Sequence, residues 1–394
     1  MENNRKKQTI RLILLTVIVA FVTMAVGLLA LQLVGGVRVV PAETYEQMAD
    51  ITKKYGKLYV IQKRIDEQWL WDTNDSAEMD AIYEGLVDSL DDKYSEYFTA
   101  EEAAEWKSYL DGTYYGIGVS FGENKDGDFQ VYKVFTDSPA EKAGVKEGDL
   151  IRKVNGKTYK TSEEISKAIK GKTGTKVKVT FERDGKERTL SVMRAEVTEN
   201  SVDGTVLDGD IGYIRIASFA KKTAEEFKTE LASMESKNVK GLIIDIRQNG
   251  GGYAEQGITI ADMLLPECTI TYMEDKQGKK KYYNSDESST DLPYVLLVDE
   301  NTASTSEILA AAVQDNKGGK LIGETTFGKG IVQVEYSFED GSALKLTTHQ
   351  YFSPNGKKIH KKGVKPDVVV KYDIGSGKDA QLARAKKILK SSAD

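Results

Sequence analysis

Histidine is scarce in this chain: its 394 residues include only two, His349 and His360, both late in the sequence. A serine that needs an imidazole to take its proton has few places to find one, so any base must be sought more widely. Cysteine is scarcer still. The lone Cys268 cannot close an internal disulfide, and no Cys/His cluster has metal-ligand spacing, so neither staples nor structural zinc hold the fold. Cys268 reads as a small core hydrophobe. Long runs of one charge are also missing. With 55 basic residues against 61 acidic, nothing points to a nucleic-acid surface or an acidic disordered tail.

What is present begins with length, which suffices for two or three domains with ordinary cores. Ile10 to Val34 is apolar, interrupted only by Arg11, Thr16, Thr23 and Gln32. About 20 such residues span a bilayer as a helix. Arg5, Lys6, Lys7 and Arg11 favour a cytoplasmic N-terminus, which places everything after about Gly36 on the outer side. A cleaved signal peptide is the rival reading, disfavoured because the apolar region exceeds a typical signal core and no clear A-x-A site follows.

The texture of the sequence then suggests four parts: 1–36, cytoplasmic tail and transmembrane anchor; 37–111, a helical segment; 112–195, a compact barrel; and 196–394, an α/β core ending in a short helix. In the second part "YGKLYVIQKRIDEQWLW" and "MDAIYEGLVDSL" carry apolar residues at helical spacing, a stripe suited to packing or to dimer formation. From Gly112 short β-branched runs alternate with Asp-Gly and Asn-Gly turns, and one helix, "TSEEISKAIKG", is embedded among them. From Ile211 strands and helices alternate, which predicts parallel strands carrying a ligand site at their C-terminal ends.

Two such strand ends hold residues able to do chemistry. After "PYVLLV", Ser304 falls where a helix pattern begins, at backbone N–H groups that favour negative charge. It could attack a carbonyl while the Thr305 N–H faces the oxyanion. Taken alone, the turn is better explained by simple helix capping. The second feature is "GETTFGKGIVQVEY", where Lys329 stands between glycines ahead of a period-2 strand. A neutral lysine can replace histidine as base. Its pKa must first fall from about 10.4, at about 1.4 kcal/mol per unit, and apolar burial does this. Gln333 is spaced to orient the amine with its amide oxygen. Gly323, Gly328 and Lys329 also match the first part of a phosphate-binding loop, but Gly330 replaces the magnesium-binding hydroxyl and a strand pattern replaces the helix. The third feature is "GLIIDIRQNGGGYAEQG", whose glycine N–H groups suit the other half of an oxyanion hole or merely make a tight turn.

Together these motifs resemble the carboxyl-terminal processing proteases, the tail-specific S41 family of serine peptidases. "DIRQNGGG", "NTASTSEIL" and "GETTFGKGIVQ" are similar to that family's glycine, nucleophile and lysine motifs, in that order. The resemblance covers roughly residue 45 to the end. It implies Ser304 as nucleophile, Lys329 as general base, Gln333 as its orienting partner, and Gly251, Gly252 and Thr305 as oxyanion donors. It also implies an α/β protease core of the crotonase/ClpP-like spiral ββα type, with an inserted PDZ barrel, and no metal or cofactor. "YYGIGVSF" resembles the PDZ carboxylate-binding loop, so Ile117, Gly118 and Val119 would capture an apolar protein C-terminus. "YFSPNGKKIHKKGVKPDVVV" is similar to the family's closing segment, which makes both histidines structural. The chain makes two departures from the family pattern: Thr302 and Thr305 flank the nucleophile, and Lys170 stands where arginine is usual. The expected protein is a membrane-anchored endopeptidase acting outside the cytosol on protein tails, possessing surfaces for a homodimer and none for nucleic acid. The alternative is a catalytically idle PDZ scaffold.

Overall fold

The structure is a computed structural model that describes residues 2–34, 40–371 and 378–392; the expected boundary near Gly36 lies outside them. The chain separates into two compact units, residues 1–79 and 80–394. In the first, α1 (Glu2–Val34) contains the candidate span Arg5–Ala30, within which an 18-residue window reaches a mean hydropathy of 2.8. Its length and composition fit a membrane span or a signal sequence. In α2 (Ala42–Gln68) no residue is buried, although Tyr45, Met48, Ile51, Tyr55 and Tyr59 follow one another at helical spacing. The division falls within α3 (Asp75–Asp88).

Where helix was expected up to Leu110, a strand intervenes: β1 (Glu96–Phe98), three residues too short for an alternating pattern to register in the sequence. The helix that follows, α4 (Ala100–Asp111), starts at a Thr99–Glu102 capping box and stops at Gly112, whose φ of 69° suits glycine.

The chain enters the small domain through β2 (Thr113–Gly116). Then come β3 (Val119–Glu123), β4 (Phe129–Val134), α5 (Pro139–Lys142), β5 (Leu150–Val154), α6 (Ser162–Ile169), β6 (Lys176–Arg183) and β7 (Lys186–Met193). It leaves through β8 (Ala195–Thr198), which pairs antiparallel with β2 as a two-stranded stalk. Asn155-Gly156 and Asp184-Gly185 have left-handed φ at both residues, as tight hairpin turns require. Ile117, Val131, Ile151, Val177 and Phe181 form the core. The strands make a sheet ordered β3-β4-β5-β6-β7, with β3 and β7 as its edges, where the sequence suggested a barrel. Paired edges would be needed for closure.

The large domain continues with β9 (Val202–Leu207), β10 (Ile211–Ile216), α7 (Thr223–Ser236), β11 (Gly241–Asp245), α8 (Ala254–Leu264), β12 (Thr269–Asp275) and β13 (Lys280–Asn284). It ends with β14 (Tyr294–Val298), α9 (Thr305–Asp315), β15 (Gly319–Gly323), β16 (Ile331–Ser337), β17 (Ala343–Phe352), β18 (Val368–Val369) and α10 (Ala380–Ser392). The main sheet runs β18-β15-β14-β11-β10-β9, parallel except for β9. Every residue of β11 and β14 is buried, as strands covered on both faces must be. Residues of α7, α8 and α9 build the larger core on one face; Ala385 and Leu389 of α10 pack with Ile243 and Leu297 on the other. Arg247 fastens α10 by pairing with Asp245 at 2.6 Å and Asp379 at 2.8 Å. A second sheet places β17 between β12 and β16, with β1 also paired to β17 so that Glu96 meets Lys345 at 2.7 Å.

Candidate active site

The C-terminal ends of β11 and β14 turn into two loops that face one cavity of about 850 Å3. Past β14, Asp299 accepts hydrogen bonds from the Gln248 and Asn301 N–H groups and from Thr302 Oγ1, which shapes the turn leading to Ser304. Ser304 is the residue at which α9 begins, with φ 58° and ψ −118°. Few non-glycine residues sit there, and such strain persists only where neighbours enforce it.

Glu307 is one of those neighbours. Its buried carboxylate accepts four hydrogen bonds: Thr326 Oγ1 at 2.6 Å, Gly328 N at 2.7 Å, Lys329 N at 2.8 Å and Ser304 N at 2.9 Å. One side chain thereby joins the serine turn to the lysine loop. Burial pushes its pKa up, against the four bonds that favour the charged form.

Lys329 follows Gly328, which has φ 89°, and precedes Gly330, where a Cβ would lie 2.3 Å from the His360 backbone nitrogen. These glycines let the loop pass close to the closing segment, and a strand, β16, follows as anticipated. The Lys329 amine lies over the Tyr94 ring, 4.9 Å from its centroid. Burial holds its pKa below the ordinary lysine value; Lys345 and Lys93 push the same way, while Asp92 and Glu307 oppose. A register shift between Val332 and Gln333 re-aims β16 beside the site. Gln333 donates its amide nitrogen to Thr347 Oγ1 at 3.0 Å, which fixes the amide with its oxygen at the other end.

Ser304, Thr305, Lys329, Gln333, Gly251 and Gly252 all line this cavity, and neither histidine does. Ser304 Oγ and Lys329 Nζ share it without a hydrogen bond to each other, and such contacts often tighten only when substrate is bound. Gly251 has φ 102°, and a Cβ there would lie 2.8 Å from Ser304 Cβ. Its N–H donates to Asn249 Oδ1 at 2.9 Å. Thr305 contributes a side chain as well as an N–H, because its hydroxyl donates to the Gly252 carbonyl at 2.9 Å.

Gly251→Ala is therefore expected to lower kcat about 100-fold, since the new methyl displaces Ser304 and small misplacements are this costly. Steady-state kinetics check this, with peptide binding by the small domain as the control that should not change.

Ile117, Gly118 and Val119 lie in the small domain, away from this cavity. Ile117 is buried and its carbonyl accepts from Ala140 N at 2.8 Å. Gly118, with φ 84°, leads into Val119 at the start of the edge strand β3, beside α6. Lys170 pairs with Glu105 of α4 at 3.3 Å, both exposed.

Sequence reasoning missed several residues here. Lys93 and Tyr94 come from a segment read as packing, Lys345 from a stretch with no motif, and Tyr351 from the first position of the closing segment, where it was given no role. Glu307 did carry a signal, the S-x-x-E spacing of a helix start.

Two family models match the chain: peptidase family S41 over residues 210–370 and PDZ domain over residues 116–193. The carboxy-terminal processing protease CtpA of Bacillus subtilis (strain 168) is 39% identical over 320 residues, 80% of this chain and 68% of that protein. CtpB of the same organism is 32% identical over 366 residues, 90% of this chain and 76% of that protein. Among solved structures, the photosystem II D1 C-terminal processing protease superposes with TM-score 0.51 and 28% identity, covering 90% of this chain and 99% of that one. These matches define a serine-type peptidase that carries a PDZ domain. The chain belongs to peptidase family S41, with the carboxy-terminal processing proteases.

Proposed function

We propose that this protein is a membrane-anchored endopeptidase with Ser304 as nucleophile and Lys329 as general base, cleaving protein tails outside the cytosol. The observation that carries the reading is a lysine of lowered pKa sharing one cavity with a serine at a strained helix start. In acylation the neutral Lys329 amine takes the Ser304 Oγ proton as Oγ bonds to the substrate carbonyl carbon. The oxyanion faces the N–H groups of Thr305 and Gly252; Gly251, whose N–H is given to Asn249, serves by its close approach. Collapse breaks the C–N bond, and the Lys329 ammonium returns the proton to the leaving amine. Water, deprotonated by Lys329, then releases the acyl group. Gln333 orients the amine through its amide oxygen.

The PDZ domain would receive an apolar C-terminus at Ile117, Gly118 and Val119, the peptide adding a strand to the β3 edge. Arg5, Lys6, Lys7 and Arg11 favour a cytoplasmic N-terminus, and the apolar stripe of α2 suits a homodimer. We read the sheet and helices of residues 196–394 as a crotonase/ClpP-like spiral core, preceded by the anchor, helical segment and PDZ domain bounded as above.

The test is cleavage of an unstructured protein by the full-length chain in detergent, with a tail peptide present to engage the PDZ domain. The parent should cleave and Ser304→Ala should not. Equal behaviour of the two rejects the proposal.

A further inference from the structure

Tyr351 is a fully buried residue of β17 whose hydroxyl meets two carbonyls, Ser304 O at 2.9 Å and Lys329 O at 2.5 Å. A phenol has one hydrogen to donate, so it is shared between the backbone of the nucleophile and that of the base. These residues also give their N–H groups to a common atom, Glu307 Oε2. Each is thus held on both sides of its Cα by a partner it shares with the other.

The ring that carries this hydroxyl is itself immobile. Tyr351 belongs to the main core, pairs with Met273 of β12, and donates its own N–H to the Gly330 carbonyl at 3.1 Å. Burial pushes the phenol well above its ordinary pKa, so the hydrogen stays in place across the working range. The two carbonyls depend on it unequally. Ser304 O also accepts from Glu307 N at 2.8 Å and Ile308 N at 3.1 Å, whereas Lys329 O has no other donor among the described residues. Without the hydroxyl, the lysine loop is the part that drifts.

We propose that the Tyr351 hydroxyl is a positioning group for acyl transfer, setting the separation of Ser304 and Lys329 through their carbonyls. This rests on the assignment of those two residues as nucleophile and base. A purely structural tyrosine would affect stability without changing turnover by the folded protein.

Tyr351→Phe and Tyr351→4-aminophenylalanine separate the two roles, because the amino group restores a donor at the same place. Full-length protein is assayed on an unstructured reporter protein with tail peptide, alongside thermal unfolding. Folded Tyr351→Phe should lose about tenfold or more in kcat with KM unchanged, the mark of geometry lost only at the chemical step. The amino variant should return close to the parental kcat. Parental kcat in folded Tyr351→Phe, or an amino variant as slow as the Phe variant, overturns the proposal. Should Tyr351→Phe fail to fold, the amino variant decides alone, near-parental kcat supporting and tenfold loss contradicting. Lys329→Ala is measured in parallel. If it stays active, the base assignment and this proposal both fall; if it is dead while Tyr351→Phe is parental, only the positioning role falls.

Discussion

Lys329→Met should abolish cleavage and at the same time raise the unfolding temperature. The first effect follows from the loss of the base proposed for Ser304; general-base contributions are about 10² to 10⁴ in rate, and no histidine lines the cavity to substitute. The second follows from linkage. Burial depresses the folded pKa of Lys329, so between that value and the ordinary lysine value the unfolded chain binds more protons than the folded one. Stability therefore rises with pH across that window, and the penalty is fully present below it. A methionine of similar length removes the penalty. Calorimetry and an activity assay on one preparation test both signs, and a variant that is inactive but less stable would show that the amine is held by favourable contacts instead.

Glu307→Gln is the second large effect, of the opposite sign in stability. Four donors point at the two carboxylate oxygens, and Thr326 Oγ1 already accepts from Val364 N, which leaves its hydrogen for Glu307. An amide offers one oxygen and an NH2 group. Whichever way it turns, two donors meet hydrogens: either the Ser304 and Lys329 N–H groups or the Thr326 hydroxyl and the Gly328 N–H. Each buried unsatisfied group costs about 1 to 3 kcal/mol. One orientation deprives the strained Ser304 backbone of a contact that enforces it and the other frees the lysine loop at Gly328, so in either case kcat should fall about 100-fold while PDZ binding is kept. Kinetics and denaturant unfolding measure the two, and near-parental values in both would mean that the serine turn and lysine loop keep their geometry independently.

Much of this site could be read before any coordinates because it is built from local signals. Ser304 at a strand-to-helix turn, Lys329 between glycines and the run Asn249 to Gly252 each announce a backbone that must be tight or close. Three short stretches suffice for them. The contacts that assemble the stretches are long-range and leave no local trace. Tyr253 donates to Asp111 Oδ1 at 2.7 Å, linking the end of the glycine turn to the last residue of α4. Tyr94 reaches the Lys329 amine from the far side of the PDZ insertion, in a segment whose apolar spacing suggested only packing. Tyr351 sits in a strand whose pattern calls for a buried aromatic residue and says nothing about its hydroxyl. The fold was legible for the same reason in reverse: continuous apolar runs such as β11 and β14 declare buried parallel strands, whereas β1 is too short to declare anything.

The neutral amine of Lys329 as base to Ser304 is tested most directly by changing that amine alone. Lys329→Cys in a Cys268→Ser background, alkylated with 2-bromoethylamine, rebuilds the lysine with sulfur in place of a methylene and a more acidic amine. The base must be neutral to act, so kcat/KM rises as pH rises through its pKa. Cleavage should be absent before alkylation and return after it, with the acid limb of the kcat/KM profile displaced to lower pH. Full activity before alkylation, or an acid limb that does not move, contradicts the account.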